Sequence, residues 1–282
     1  MRVDLHTHSN ESDGTETPAQ VMQAAATAGL DVVALTDHDT TSGWNEAADA
    51  AGDCGLALVR GIEVSCSADG ISVHLLGYLP DPGHAALAHE LREARDSRVH
   101  RARRMVELLA PDTGLTWDQV QAQAVPGATL GRPHIADALV AAGVVKDRGE
   151  AFATYLRSGG KYHVSHYAPH PVRAVELVRA AGGVPVMAHP LAHQRGRVVA
   201  EDVIRDMAAA GLGGIEVFHR DHDDASRVRA GELARELGLF ATGSSDYHGT
   251  GKHNRLGENT TEPQVLAMIA DQATSPIKVL WP

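Results

Sequence analysis

Residues 171–190 read PVRAVELVRAAGGVPVMAHP, and their order decides the fold. Pro171 opens a helix through Val175 and Val178, Gly182-Gly183 stops it, and the apolar run Val184 to Ala188 follows as a strand. His189-Pro190 then stands at the end of that strand. The same cycle recurs along the chain. Thr17-Pro18 caps a helix over Val21 to Ala28 that ends at Gly29 before the run Asp31 to Thr36. Glu201 to Ala210 leads through Gly211 to Gly214–Val217, and Ala225 to Leu237 leads through Gly238 to Leu239–Thr242. Helices and strands alternating at this spacing predict βα units and an α/β fold with a parallel sheet or barrel.

Between residues 84 and 165 the cycle breaks and helical patterns follow one another. Leu87, Leu91, Ala94, Met105, Leu108 and Leu109 lie in one long stretch, Thr116 to Gln119 reads as a capping box, and Pro133 to Ala142 is a further helix ending at Gly143. The expected organisation is a barrel from 1–83 and 166–282, with 84–165 as a helical insertion that packs on it.

A chain of 282 residues suits one barrel-sized domain. Its net charge of −11 excludes a surface built throughout for long nucleic acid or an anionic membrane. No apolar run approaches the roughly 18 residues of a membrane span. MRVDLHTHS at the N-terminus lacks a secretory pattern. Two cysteines, Cys54 and Cys66, make no disulfide framework. A cytoplasmic location is the expectation, with no membrane and no protein partner implied.

Histidine is out of proportion: 17 residues, against three Trp, five Tyr and three Phe. No two are adjacent, so they are not a tag. Asp4, His6, His8 and Asp13 follow the first strand, Asp37-His38-Asp39 the second and Glu63 the third. His74 lies within the run Ile71 to Tyr78. His189, then His219 and His222, then Asp246 and His248, follow later strands. The ends of parallel barrel strands converge on one face, where active sites of that architecture sit. Taken alone, His6-x-His8 is a weak signal and Asp246-x-His248 reads equally as turn chemistry. Together, six histidines and three carboxylates at strand ends outweigh the scattered reading. Imidazole and carboxylate suit Mn, Fe and Zn. Nine ligands exceed the needs of one ion, and Glu63 and Asp246 can bridge, so two or three divalent ions are expected. Multinuclear sites of this type hydrolyse phosphate esters.

The segments DLHTHSNESDGT (Asp4 to Thr15), LTDHDT (Leu35 to Thr40), GIEVS (Gly61 to Ser65), AHP (Ala188 to Pro190) and GSSDYHG (Gly243 to Gly249) together resemble the motifs of the PHP (polymerase and histidinol phosphatase) family. That resemblance implies a distorted (βα)7 barrel with a trinuclear centre of Mn first, Fe or Zn as alternatives. It implies His6, His8, Glu63 and Asp246 on one metal, Glu63, His74 and His189 on a second, and Asp13, His38 and His248 on a third. GRPHIA (Gly131 to Ala136) and EVFHRDH (Glu216 to His222) resemble the branch acting on nucleotides. The implied activity is removal of the 3′-phosphate of nucleoside 3′,5′-bisphosphates by a metal-bound hydroxide, or 5′ to 3′ exonuclease action on short oligonucleotides. Histidinol phosphatase and a non-catalytic metal-binding protein are the remaining alternatives.

A phosphorylated nucleotide needs fixed cations, and the arginine fork suits phosphate. Arg132, with His134 beside it, is the first candidate, and Lys161 a second. The resemblance places His222 near substrate phosphate, as a possible proton donor, and makes Asp13 a catalytic as well as a ligand candidate. His219 reads as a packing residue. Asp37 and Asp39 read as partners that orient imidazoles. The run Arg92, Arg95, Arg98, Arg101, Arg103, Arg104 reads first as a solvated helix face interleaved with Glu93 and Asp96, and second as a track for oligonucleotide phosphates.

Overall fold

The computed structural model describes residues 1–282. Seven strands form one sheet in chain order: β1 (Val3–Thr7), β2 (Val32–Leu35), β3 (Ala57–Ala68), β4 (Ile71–Tyr78), β5 (Val184–Met187), β6 (Gly214–Phe218) and β7 (Phe240–Gly243). The sheet curls until a bridge from Thr7 to Tyr247, with the Tyr247 carbonyl accepting from the His8 amide at 2.8 Å, brings its edges together. The result is a nearly closed α/β barrel of the distorted type expected.

One expectation needs correction, because the barrel is not parallel throughout. β4 runs antiparallel to both β3 and β5, while the other neighbours are parallel. The cause is local. Asp69 and Gly70, at φ 52° and 72°, make the tight turn with two positive φ values that joins antiparallel strands. His74, opposite Ser65 in this hairpin, therefore reaches the mouth from mid-strand.

Helices α1 (Pro18–Thr27) and α2 (Trp44–Asp53) cover β2 and β3, and α1 starts at the capping box between Thr17 and Gln20. The insertion supplies α3 (Ala85–Thr113), α4 (Trp117–Gln121), α5 (Arg132–Ala141) and α6 (Arg148–Thr154). Ala102, Met105, Leu109, Ile135, Leu139 and Leu156 belong to a core within it, whereas Leu87 and Leu91, in the first turns of α3, pack into the barrel's core. The long helix thus anchors the insertion at one end and fills it at the other. α7 (Pro171–Ala180), α8 (Glu201–Ala209), α9 (Asp224–Glu236) and α10 (Pro263–Gln272) complete the outer layer. No helix is long and apolar enough to cross a membrane.

Inside the barrel, Leu5, Leu76, Tyr78, Val186 and Phe240 form a dry floor beneath the polar mouth. Each such large side chain contributes about 1.5–3 kcal/mol of burial. Gly214 fits there only without a side chain, since a Cβ would press on the Phe240 ring and lie 2.7 Å from its carbonyl oxygen. Gly214→Ala is expected to cost about 1–3 kcal/mol, seen as a melting temperature several degrees lower; an unchanged melting curve would show that the β6–β7 contact is slack.

Candidate metal centre

Along β1 and just beyond it, Asp4, His6 and His8 alternate and share one side of the strand. The His6 and His8 Nε2 atoms lie 3.0 Å apart. Glu63 Oε2 from β3 is 3.2 Å from the first and 3.0 Å from the second, and Asp246 Oδ1, beyond β7, is 3.4 Å from each. Two ligand atoms each about 2.0–2.1 Å from one ion stand at about this separation.

A second group joins His8, Asp13, His38 and His248, with His248 Nε2 3.2 Å from Asp13 Oδ1. A third joins His38, Glu63 and His74. His74 Nδ1 is 2.9 Å and His189 Nε2 3.4 Å from Glu63 Oε1. All nine expected ligands are thereby gathered at one mouth, but the sharing differs from that implied by the resemblance. His8 also faces the Asp13 group, and His38 stands between Asp13 and Glu63, while His189 reaches the centre through Glu63.

The donor set fits divalent ions. Asp13 Oδ1, His38 Nδ1, Glu63 Oε1, His74 Nδ1, His189 Nε2 and His248 Nε2 are all buried without a hydrogen-bond partner, and such orphans cost about 1–3 kcal/mol each. Cations at their shared points would satisfy them, as oxygen and nitrogen donors suit Mn, Fe or Zn.

Local chemistry holds these side chains in place. Asp37 accepts from the Ser9 amide at 2.8 Å, the Ser9 hydroxyl at 2.7 Å and the Ser12 hydroxyl at 2.6 Å, tying the loop that carries Asp13 to the end of β2. Asp39 accepts from the Ser65 amide at 2.7 Å and hydroxyl at 2.8 Å, and from Arg98 at 3.1 Å. Neither aspartate hydrogen-bonds an imidazole, so the expectation that they orient histidines directly is corrected: they orient loops. Asp39, His189 and Asp246 have φ of 55°, 30° and 53°, left-handed values that cost energy at residues other than glycine and collect at functional sites.

Asp246 shows how the two edges of one carboxylate divide. Its Oδ1 faces His6, His8 and His248, and its Oδ2 accepts from Arg195 at 2.6 Å and Lys252 at 3.0 Å. Burial opposes ionisation of Asp246, but Lys252, His248 and Arg195 outweigh it and hold the group well below the usual carboxylate range. Glu63 is likewise held low against burial, by His6, His38 and His74. Burial pushes the His38 and His189 imidazoles well down, and His248 down to about 4, the direction that favours the neutral form a ligand needs. His8 goes the other way: burial opposes its charge, but Asp246 and Glu63 push it up to about 9.

The residues expected to meet substrate divide. His134 is buried, its Nδ1 accepting from the Gly131 amide at 3.2 Å. Arg132 donates to the Leu156 carbonyl and Ser158 hydroxyl, both at 3.2 Å, and lies over the Phe152 ring. Arg98 and Arg101 turn inward from α3 towards it. Arg101 has a buried Nε without a partner, and burial together with Arg132 and Arg98 brings its guanidinium down to about 9. His166, beside the same three arginines, is pushed down to about 3 by burial and by their charge. Lys161 is not drawn in; its ammonium forms an exposed pair with Asp112 at 2.5 Å. His222 is also corrected, since its Nδ1 donates to the Val217 carbonyl at 2.9 Å and its Nε2 accepts from the Leu191 amide at 3.2 Å. With both nitrogens engaged by backbone, it braces loops and holds no proton ready for a leaving group. His219, read as packing, instead accepts from the Asp221 amide through Nδ1 and turns Nε2 towards Asp246 Oδ2, 3.6 Å away. Glu216 is marked in the sequence only as the first residue of EVFHRDH, and Arg195 and Lys252 carry no pattern at all; the roles of all three come from tertiary contacts.

Residues 4–112 match the model of the PHP domain. The chain is 38% identical to a 3′,5′-nucleoside bisphosphate phosphatase of Chromobacterium violaceum, covering 95% of this chain and 94% of that one. It is 32% identical to a 5′-3′ exoribonuclease of Haemophilus influenzae, covering 92% and 94%. A solved structure from Bifidobacterium adolescentis, described as a metal-dependent phosphoesterase, superposes with a TM-score of 0.94 at 41% identity over 97% of each chain.

Because neighbouring Glu63 and Asp246 push the His6 and His8 imidazoles towards their protonated forms against the cost of burial and a ligand imidazole must be neutral, metal uptake is expected to expel protons. Mn2+ titration of metal-free protein is expected to release about one proton or more, with affinity rising from pH 6 towards 9. Calorimetry in buffers of different ionisation enthalpy measures this; a buffer-independent heat and a flat pH profile would count against the ligand assignment.

Proposed function

This chain belongs to the PHP family of metal-dependent phosphoesterases, and we propose that it removes the 3′-phosphate of nucleoside 3′,5′-bisphosphates. The observation that carries this reading is the adjacency of a cluster able to hold metal ions and a set of guanidinium groups. The first is the cluster His6, His8, Asp13, His38, Glu63, His74, His189, Asp246 and His248, which would hold two or three divalent ions, Mn first. The second is the group Arg98, Arg101 and Arg132, from the insertion. They are adjacent, because Arg98 bonds Asp39, the residue after His38. A substrate with two phosphates separated by a ribose has one for each.

Bound ions would supply activation of water and neutralisation of charge on the phosphate being cleaved. The chain's own residues do the rest. Asp13 and Glu63, held ionised by surrounding imidazoles, provide the negative charge that divalent ions require. Arg101 and Arg132, with no carboxylate partner, hold the second phosphate through forked hydrogen bonds. His134, buried and bonded to the Gly131 amide just before Arg132, fixes the start of the helix that carries Arg132. In this reading 1–83 and 166–282 carry the metal centre, and 84–165 carries substrate recognition.

The arginine run favours a small substrate over a strand. Arg95, Arg98 and Arg101 turn inward, Arg95 reaching the Thr40 hydroxyl at 3.5 Å, whereas Arg104 pairs with Glu107 and Arg103 lies over Trp117. A continuous phosphate track would need these outer arginines uncommitted. The exonuclease reading, which the Haemophilus relative's name supports, therefore stands second.

With Mn2+, adenosine 3′,5′-bisphosphate is expected to be hydrolysed with kcat/KM about 10–100-fold above 3′-AMP, since a charged hydrogen bond is worth about 1.5–3 kcal/mol. Arg101→Met should erase that preference while leaving 3′-AMP turnover nearly unchanged. Equal kcat/KM for the two nucleotides, or turnover of oligonucleotides alone that collapses with salt, would reject the proposal.

A further inference from the structure

Glu216 opens the segment EVFHRDH and has no part in the ligand set, yet it lies at the centre of β6 with no solvent exposure at all. A buried carboxylate is costly unless its oxygens are fully engaged. Both are. Oε1 accepts from His6 Nδ1 at 3.3 Å and from the Ser244 hydroxyl, and Oε2 accepts from the His189 backbone amide at 2.8 Å.

These contacts have a directional consequence. A neutral imidazole has one N–H and one lone pair. When His6 is neutral, as a metal ligand must be, donation of its Nδ1 proton to Glu216 leaves the lone pair on Nε2, the atom that faces His8, Glu63 and Asp246. The other oxygen acts on a second ligand by another route. His189 sits at φ 30°, a left-handed conformation that surrounding contacts must enforce, and its pinned amide supplies one. From there His189 Nε2 reaches Glu63 Oε1 at 3.4 Å.

We infer that Glu216 is a positioning residue of the metal centre, one carboxylate that sets the tautomer of His6 and the backbone of His189, and so aligns ligands on both sides of the bridging Glu63. It touches neither metal nor substrate. Ser244 holds the carboxylate in turn, making a chain from β7 through β6 to the ligands of β1 and β5. This rests on the metal reading of the nine residues but not on the choice of substrate.

The test is Mn2+ affinity, measured by chelator competition on wild-type protein, Glu216→Gln and Ser244→Ala. Circular dichroism and melting of the metal-free proteins report the fold. Glu216→Gln keeps the size of the side chain but replaces one acceptor by a donor. It is expected to weaken Mn2+ binding about 10–100-fold, as loss of such outer partners does, with circular dichroism unchanged. Ser244→Ala should weaken it several-fold, and this variant decides the matter if Glu216→Gln does not fold. Equal Mn2+ dissociation constants in wild type and folded variants would overturn the positioning role alone. A wild type that binds no Mn2+ would overturn the metal reading and this role with it.

Discussion

Glu63 sits where five imidazoles converge. Its Oε2 lies within 3.3 Å of His6, His8 and His38, and its Oε1 within 3.4 Å of His74 and His189. So dense a set of lone pairs in a dry site is stable only when cations stand among them, either protons or metal ions. The rest of the mouth follows from that requirement. Asp246 turns one oxygen inward and gives the other to Arg195 and Lys252. Asp13, His38 and His248 close the far side. Asp37 and Asp39 tie the loops that deliver Asp13 and His38, and Asn254 ties the loop before His248.

The barrel makes this possible by separating two tasks. Its floor of Leu5, Leu76, Tyr78 and Phe240 supplies burial energy, and its strand ends spend part of that energy on left-handed backbone at Asp39, His189 and Asp246. The insertion adds a second charge pattern. Three guanidinium groups face one another with only Asp39 paired among them, at Arg98. Like charges held this close destabilise the free protein and favour an anion. Cationic insertion and acidic chain are thus compatible: the net charge of −11 sums the whole chain, buried carboxylates of the mouth included, while the three arginines are grouped in one place.

Much of this was legible in the sequence, for reasons that differ by residue. Helix, glycine and strand follow one another with a fixed period, so β5 to β7 and their helices could be read directly. Hydrophobic pattern has no direction, however, so it places β4 in a parallel barrel, and only the positive-φ pair Asp69-Gly70 marks the hairpin that reverses it. His6-x-His8 and Asp246-x-His248 were readable because alternate residues at a strand end share a side. Lys161 and His222 were not: the first is captured by Asp112, 49 residues away, and the second by two backbone groups. Glu216 looked like any strand residue, since its partners come from β1, β7 and the turn after β5. Arg98 and Arg101 share a helix face at a spacing of three, but their convergence on Arg132 is a tertiary fact.

If the nine side chains around Glu63 act as one multinuclear centre, as proposed, they bind their ions together. Anomalous diffraction from crystals grown with Mn2+ tests it most directly. Two or three Mn2+ peaks inside the mouth are expected, within reach of Glu63, Asp246, His6 and His8. A single ion, or peaks held by surface carboxylates with Glu63 unliganded, would contradict it.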